Sequence, residues 1–170
     1  GEGNLGVIER FEPMPMVTYS ENQLIKAEAA ARTGGDGLGH LNDYRAWLAS
    51  GGRLNATFNS DTTIQYDAYV AADFASGGME NSDGVSAETA LLREIIEERY
   101  VSGFGTYMPF NDHRRLRGDG ETELIVPFPL NPGGSAHVER IPYAQDELTS
   151  NSNMTEDPGL YAKTKVNGGS

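Results

Sequence analysis

The chain has 170 residues, of which 38% are hydrophobic and 22% are charged, and this length suits one globular domain with a buried core. Its 13 Lys and Arg residues against 25 Asp and Glu residues give a net charge of −12, which disfavours binding to nucleic acid. Cysteine is absent, so disulfides, thiol nucleophiles and cysteine-ligated zinc are excluded. No apolar run approaches the roughly 20 residues of a membrane-spanning helix. Because residues 1–4 contain no initiator Met and no basic or apolar leader, we expect a processed piece or a fragment.

Two helices joined by a short glycine-containing turn are predicted first. Thr18 and Ser20 suit the start of the first helix, and the glycine pair at 34–35 ends it. Its predicted apolar face contains Leu24, Ala27 and Ala31. The second helix ends at the glycine pair 51–52, and its predicted stripe contains Leu38, Leu41, Arg45 and Leu48. Such a pair favours an antiparallel helical hairpin.

Two further helices are predicted, and the second of them has the clearer pattern. One runs from Asp61 to about Ala75, with alanines on its apolar side. The other follows Ser86 as N-cap, and glycines 103 and 105 interrupt it. Its wide apolar band contains Leu91, Leu92, Ile95 and Ile96. A short helix at 111–116 follows.

The sequence changes character after Arg117. Short strands are predicted at 124–128 and at 138–143. The prolines in the first of them restrict that strand to a sheet edge. The predicted fold class is therefore mainly α, with TPR-like αα-hairpins followed by an irregular, loop-rich C-terminal region that has one or two short strands. The predicted division is a helical-hairpin region at 1–117 and an irregular region at 118–170 that packs on the helices, both within one larger domain.

The carboxylates give little support for catalysis. A glycosidase needs two carboxyl groups roughly 5–10 Å apart across a sugar bond. Glu94, Glu97 and Glu98 lie on one predicted helix and Asp112 follows later, but no pattern places two of them in a cleft. We interpret them as a solvated face, with Arg93 and Glu97 as an ordinary i, i+4 pair.

No metal or nucleophile site is predicted. His40, flanked at helical spacing by Asp36 and Asp43, is the best candidate ligand group, and glycines disturb that turn. His113 and His137 are isolated in the sequence. No G-x-S-x-G motif occurs, and the glycine-rich stretches follow helices instead of joining a strand to a helix, which disfavours phosphate binding. The prediction is therefore no cofactor and no catalytic residue.

Two further groups have both a structural and a functional interpretation: the basic cluster at 113–117 and several aromatic residues. We interpret the arginines as binding carboxylates or carbonyls and tying the C-terminal region to the helices. Aromatic side chains serve either a core or a sugar-stacking surface, and the sequence leaves both open for Tyr66, Tyr69, Tyr107 and Phe110. Asn55 and Asn153 begin N-glycosylation triplets, which often match by chance.

Three elements, in order, resemble the SusD/RagB family. Residues 17–32, VTYSENQLIKAEAAAR, are similar to its "AEA..R" helix and are followed by Leu41-Asn42-x-x-Arg45. Residues 92–115 resemble its long helix ending in an acidic-polar "D-x-R-R" element. Residues 140–160, with RIPYAQDELTSN and DPGL, are similar to its closing signature.

The resemblance implies a non-catalytic, surface-exposed outer-membrane lipoprotein that captures nutrients, usually glycans, and passes them to a TonB-dependent transporter. It implies that this chain is a C-terminal portion, anchored through an N-terminal cysteine outside it. It carries over no ligand-binding residue. The matched positions are expected to be scaffold: Glu21, Glu28, Arg45, Asp112, Arg114, Arg115, Pro142 and Glu147. The main alternative is a TPR-like module that binds a protein or peptide; a glycoside hydrolase is a third hypothesis.

Overall fold

A computed structural model describes residues 16–52, 66–127, 136–154 and 156–165. Within these ranges the protein is mainly helical, with five α-helices and no β-strand. Its contacts divide the chain into two compact units, residues 1–110 and 111–170. The division predicted from the sequence, a helical-hairpin region at 1–117 and an irregular region at 118–170, stays a prediction.

The first two helices, α1 (Tyr19–Arg32) and α2 (Gly37–Ala49), begin at side-chain caps. The Thr18 hydroxyl accepts a hydrogen bond from the backbone N–H of Glu21 at 3.0 Å. The Asp36 carboxylate accepts one from the N–H of Gly39 at 2.8 Å. These contacts satisfy backbone donors that the first helical turn leaves open.

The third helix, α3 (Ala87–Ser102), begins as predicted, because the Ser86 hydroxyl accepts a hydrogen bond from the N–H of Thr89 at 3.0 Å. It ends at Gly103, where the backbone passes close to the last turn of α3 and to Pro109. A Cβ at that position would lie 2.8 Å from both the Arg99 carbonyl oxygen and the Cδ of Pro109. The close approach therefore requires glycine.

The core of the first unit forms where α1 packs against both α2 and α3. Fully buried side chains from all three helices meet there, including Leu24, Leu41, Tyr44 and Ile95. The Tyr44 hydroxyl lies 2.5 Å from the hydroxyl of Ser102, so the one polar atom of this ring is satisfied. The apolar periodicity of α1 thus predicted the buried face correctly.

The predicted helix at 61–75 is wrong for its described part. Residues 61–65 lie outside the described ranges, residues 66–70 have no helical structure, and only Ala71–Phe74 form a short 3₁₀ helix. The reason is a contact from outside the segment, because the side-chain amide of Asn42 on α2 forms two hydrogen bonds with the backbone of Tyr69. That backbone is consequently held in a non-helical connection.

The fourth helix, α4 (Met108–Asp119), is longer than the predicted 111–116, and the boundary between the two units lies within it. In the second unit a 3₁₀ turn at Thr122–Leu124 follows it, and a short α5 (Gln145–Ser150) forms later. Leu116 and Leu124 are the buried apolar side chains described there.

The two predicted strands are absent from the described residues. The start of 124–128 belongs to the 3₁₀ turn, and residue 128 lies outside the described ranges. The segment 138–143 is not a strand, because its backbone hydrogen bonds do not continue into a ladder. The N–H groups of Glu139 and Arg140 both donate to the same carbonyl, that of Leu160, at 2.8 and 3.1 Å. Pro142 then removes a donor that a ladder would need.

Candidate functional site

Glu28, one of the matched scaffold positions, is buried and has two arginine neighbours. Its Oε1 accepts a hydrogen bond from Nε of Arg32, one helical turn away, at 2.8 Å. Its Oε2 lies 3.8 Å from Nε of Arg99 on α3. Glu28 and Arg99 are 7% and 5% exposed, so this ion pair is buried where α1 packs against α3.

Arg45, another matched position, joins α2 to α3 and to the connection before the 3₁₀ helix. Its Nη1 donates to Oε1 of Glu98 at 2.7 Å, and its Nε donates to the carbonyl of Asp67 at 3.1 Å. The guanidinium carbon also lies 4.1 Å from the ring centre of Tyr69, in cation–π geometry. Burial raises the pKa of Glu98, and Arg45 opposes that rise.

Tyr69 is a structural residue, although the sequence left it open as a sugar-stacking ring. The side-chain oxygen of Asn42 accepts the Tyr69 N–H at 2.8 Å, and its amide nitrogen donates to the Tyr69 carbonyl at 2.9 Å. The ring packs edge-on against Phe74 at 5.4 Å, and the hydroxyl donates to Oε1 of Glu94 at 2.8 Å. Burial and the nearby Glu94 raise the pKa of Tyr69.

A polar cleft of about 360 Å³ lies beside this network in the first unit. It is lined by Met79, Glu80, Ser82, Asp83, Ala90, Arg93, Glu94 and Glu97. Burial raises the pKa of Glu94 to about 7, and the neighbouring carboxylates add to that rise. Asp83 has the opposite environment, since a hydrogen bond from Nη1 of Arg93 at 2.6 Å lowers its pKa.

The expected solvated face of α3 is therefore correct only in part. Glu97 is exposed, whereas Glu94 is 8% exposed and Glu98 is partly buried against Arg45. The spacing of these residues on the helix gave no hint of this difference, because the groups that cover Glu94 and Glu98 come from α2 and from the connection at 66–70. Arg93 binds Asp83 across the cleft.

His40 belongs to the first unit, whereas His113 and His137 belong to the second. His40 Nδ1 lies 4.0 Å from the largely exposed carboxylate of Asp43. In the second unit the rings of His113 and His137 lie 4.5 Å apart, and burial, with help from His137 and Arg117, lowers the pKa of His113 to about 4. Within the described ranges no three His, Asp or Glu side chains converge to hold a metal ion.

The arginines of the basic cluster on α4 bind carboxylates, one of the two kinds of acceptor that the sequence interpretation named. Nε of Arg115 donates to Oδ1 of Asp112 at 2.9 Å. Arg117 forms a hydrogen-bonded ion pair with Glu139, and Nε of Arg114 lies 4.0 Å from the other oxygen of that carboxylate. Glu139 is 4% exposed, and sequence reasoning missed it because it lies in an irregular segment with no motif around it.

The remaining matched positions lie near helix ends or on the surface. Glu21 occupies the first turn of α1. Pro142 and Glu147 are exposed, and Glu147 accepts a hydrogen bond from Asn151 one turn later at 2.8 Å. Asn153 is exposed in a turn, whereas Asn55 lies outside the described ranges.

Exposed aromatic side chains occur at the α3–α4 connection, residues 103–107. Tyr107 is 43% exposed and Phe104 is 73% exposed. Tyr66 and Phe110 are only partly exposed. Phe104 was not among the candidate residues, although an aromatic residue between Gly103 and Gly105 is a usable sign of a ring held on a surface loop.

Comparisons with known proteins leave the family open. No protein-family model matches the sequence, and neither does any curated protein or solved structure. Among the described helices, none has the length and apolar character that crossing a bilayer requires.

Proposed function

We propose that the protein is a non-catalytic, nutrient-binding component of an outer-membrane uptake complex, of the SusD/RagB type, and that its ligand is a glycan. In this proposal the chain corresponds to the C-terminal portion of such a lipoprotein, lies on the cell-surface side of the outer membrane, and works with a TonB-dependent transporter. The α1–α2 pair would be a TPR-like hairpin.

One observation carries the proposal. Charged residues from separate elements of the resemblance form ion pairs with each other. Glu28 of the first element lies against Arg99 of the long helix. Arg45, in the segment Leu41-Asn42-x-x-Arg45 that follows the first element, forms an ion pair with Glu98 of that same helix. A chance likeness of short motifs gives no reason for their charged residues to be mutual partners, so the pairing supports a shared scaffold.

The ligand-contacting part would then be a loop carried by this scaffold. Phe104 and Tyr107 present rings to solvent on the α3–α4 connection. Aromatic faces stack on the CH-rich faces of sugars, and loops on rigid helical supports are common carriers of binding specificity. The aromatic loop, residues 103–107, is therefore our candidate for glycan contact.

Titration of the purified protein with an oligosaccharide panel tests this proposal. We expect saturable binding to one glycan class without product formation, and at least about tenfold weaker binding in the double variant Phe104→Ala/Tyr107→Ala, since two buried aromatic contacts are worth over 1 kcal/mol. Tyr161→Ala is the matched control, because Tyr161 is 50% exposed in the second unit. Binding of a peptide with no saccharide binding would contradict the proposal and favour the TPR-like module.

A second candidate function, sugar hydrolysis, has one specific observation in its favour. The polar cleft contains Glu94, whose pKa of about 7 suits a general acid, and Asp83, whose pKa is lowered. Glu94 is already hydrogen-bonded to Tyr69, which gives it a structural role without catalysis. If the protein releases reducing sugar and Glu94→Gln abolishes that release, the protein is a hydrolase. If it binds sugar without turnover, the result supports the capture protein.

A further inference from the structure

The aromatic loop, residues 103–107, lies in a part of the sequence that has no charged residue. Residues 100–111 include no Asp, Glu, Lys, Arg or His, although 22% of the whole chain is charged. Val101, near the end of α3, is 70% exposed, and Phe104 and Tyr107 are 73% and 43% exposed. This stretch therefore presents apolar and aromatic groups to solvent without a charged side chain of its own.

Hydrogen bonds fix the conformation of the aromatic loop. The hydroxyl of Thr106 donates to the carbonyl of Gly103 at 2.7 Å and accepts the N–H of Met108 at 3.1 Å. The N–H of Thr106 donates to the same carbonyl at 2.9 Å. Gly105, between them, has a φ of 79°, which glycine adopts at little cost. A binding surface that is already ordered loses less conformational entropy when a ligand binds, so this loop suits stacking of a sugar ring.

The arginines in the described part of the first unit are all engaged by carboxylates. Each lies 2.6–3.8 Å from a carboxylate oxygen of this unit: Arg32, Arg45, Arg93 and Arg99. The lysine of this part, Lys26, lies on α1 and not on the α3–α4 connection. The whole chain has a net charge of −12, so its long-range field repels a polyanion. These charges therefore disfavour a glycan that carries carboxylates or sulfates.

We propose that the aromatic loop selects neutral glycans and discriminates against anionic ones. This inference rests on the proposed function and narrows the ligand class of the same site. Aromatic rings stack on the CH-rich faces of sugars. A carboxylate brought to the loop would lose water and find no cationic partner within residues 100–111. Charge thus acts against an acidic sugar both at the loop and at a distance.

Two matched pairs of sugars test the proposal. Cellohexaose and maltohexaose are each compared with their C6-oxidised forms, in which carboxylates replace the hydroxymethyl groups. Titration of the purified protein at low ionic strength should show at least about tenfold tighter binding of a neutral hexasaccharide than of its oxidised form. Added salt should leave the affinity for the neutral sugar unchanged and reduce the difference between the two forms, because salt screens the repulsion.

A charge introduced beside the loop tests the local part of this discrimination. Val101→Lys should strengthen binding of the oxidised sugar about threefold, the contribution of one exposed ion pair. Val70→Lys is the matched control, because Val70 is 57% exposed in the same unit and lies outside residues 100–111. It adds the same net charge, and we expect a smaller gain.

Two outcomes would overturn the selectivity and leave glycan capture intact. One is an oxidised hexasaccharide that binds as tightly as its neutral parent, and the other is an equal gain in both lysine variants. Binding of none of the four sugars would also overturn this inference. The wider oligosaccharide panel then decides the proposed function by itself.

Discussion

The two units bury a carboxylate in different ways, and the difference indicates what stabilises each. In the first unit Glu28 has partners at helical positions, Arg32 one turn away and Arg99 on α3. In the second unit Glu139 lies in a segment without regular structure and pairs with side chains of α4. In the first case helix packing positions the ion pair, whereas in the second the ion pair itself positions the chain.

Backbone contacts support the same distinction. The irregular segment of the second unit is held by Arg140, whose guanidinium donates to the carbonyls of Ala162 and Lys163 at 2.8 and 3.0 Å. The first unit instead buries apolar side chains from three helices. We therefore expect the first unit to be most sensitive to cavities and the second to be most sensitive to loss of single charges.

The largest effect is expected from a cavity in the first unit. Leu41 is completely buried on α2, so Leu41→Ala should destabilise it by about 2–5 kcal/mol. Trp47, the only tryptophan, packs on Tyr19 at 4.7 Å and reports urea unfolding of this unit by fluorescence. Ile25→Ala is the control, since Ile25 is 47% exposed on α1. A loss below about 1 kcal/mol for Leu41→Ala would contradict a close-packed core.

A somewhat smaller effect is expected from Glu139→Ala in the second unit. Removing this carboxylate leaves Arg117 and Arg114 without their common partner, and because both retain some solvent contact we expect a loss of about 2–3 kcal/mol, below the upper range for fully buried pairs. Hydrogen exchange should accelerate in the second unit, while the Trp47 transition stays unchanged. Glu156→Ala, at an exposed position of the same unit, is the control. Unchanged exchange rates would show that the ion pair does not hold this segment.

The sequence was informative where local signals and packing agree. Thr18 and Ser86 predicted the starts of α1 and α3, and the spacing of Leu24, Ala27 and Ala31 predicted a buried face. Both signals depend on residues a few positions apart, so no knowledge of the fold is needed to find them.

The remaining features depend on partners far apart in the sequence. The helix predicted at 61–75 is wrong over its described residues because Asn42 holds the backbone of Tyr69 from 27 positions away. The burial of Glu94 follows from Tyr69, and that of Glu139 from side chains of α4. A periodicity argument cannot include such contacts, which is why the sequence predicted the starts of α1 and α3 and a buried helix face but missed the polar cleft and the burial of Glu139.

The last prediction concerns the carboxylate for which sequence and structure differ most, Glu94. Burial raises its pKa from 4.5 to about 7, so the folded protein keeps a proton that the unfolded chain releases between these values. Its contribution to stability is therefore fully present below about pH 4.5 and is lost as the pH rises to about 7. Glu94→Gln keeps an oxygen that can accept the Tyr69 hydroxyl and removes the charge.

We expect Glu94→Gln to be more stable than the parent protein by about 1–2 kcal/mol at pH 8 and equally stable at pH 4, as measured by urea unfolding. Glu97→Gln is the control, because Glu97 is exposed one turn further along α3 and should show a smaller change. A variant less stable than the parent at pH 8 would mean that the negative charge itself supports the first unit. In that case both units would depend on a buried carboxylate, and the contrast between a helix-packed unit and a charge-held one would fail.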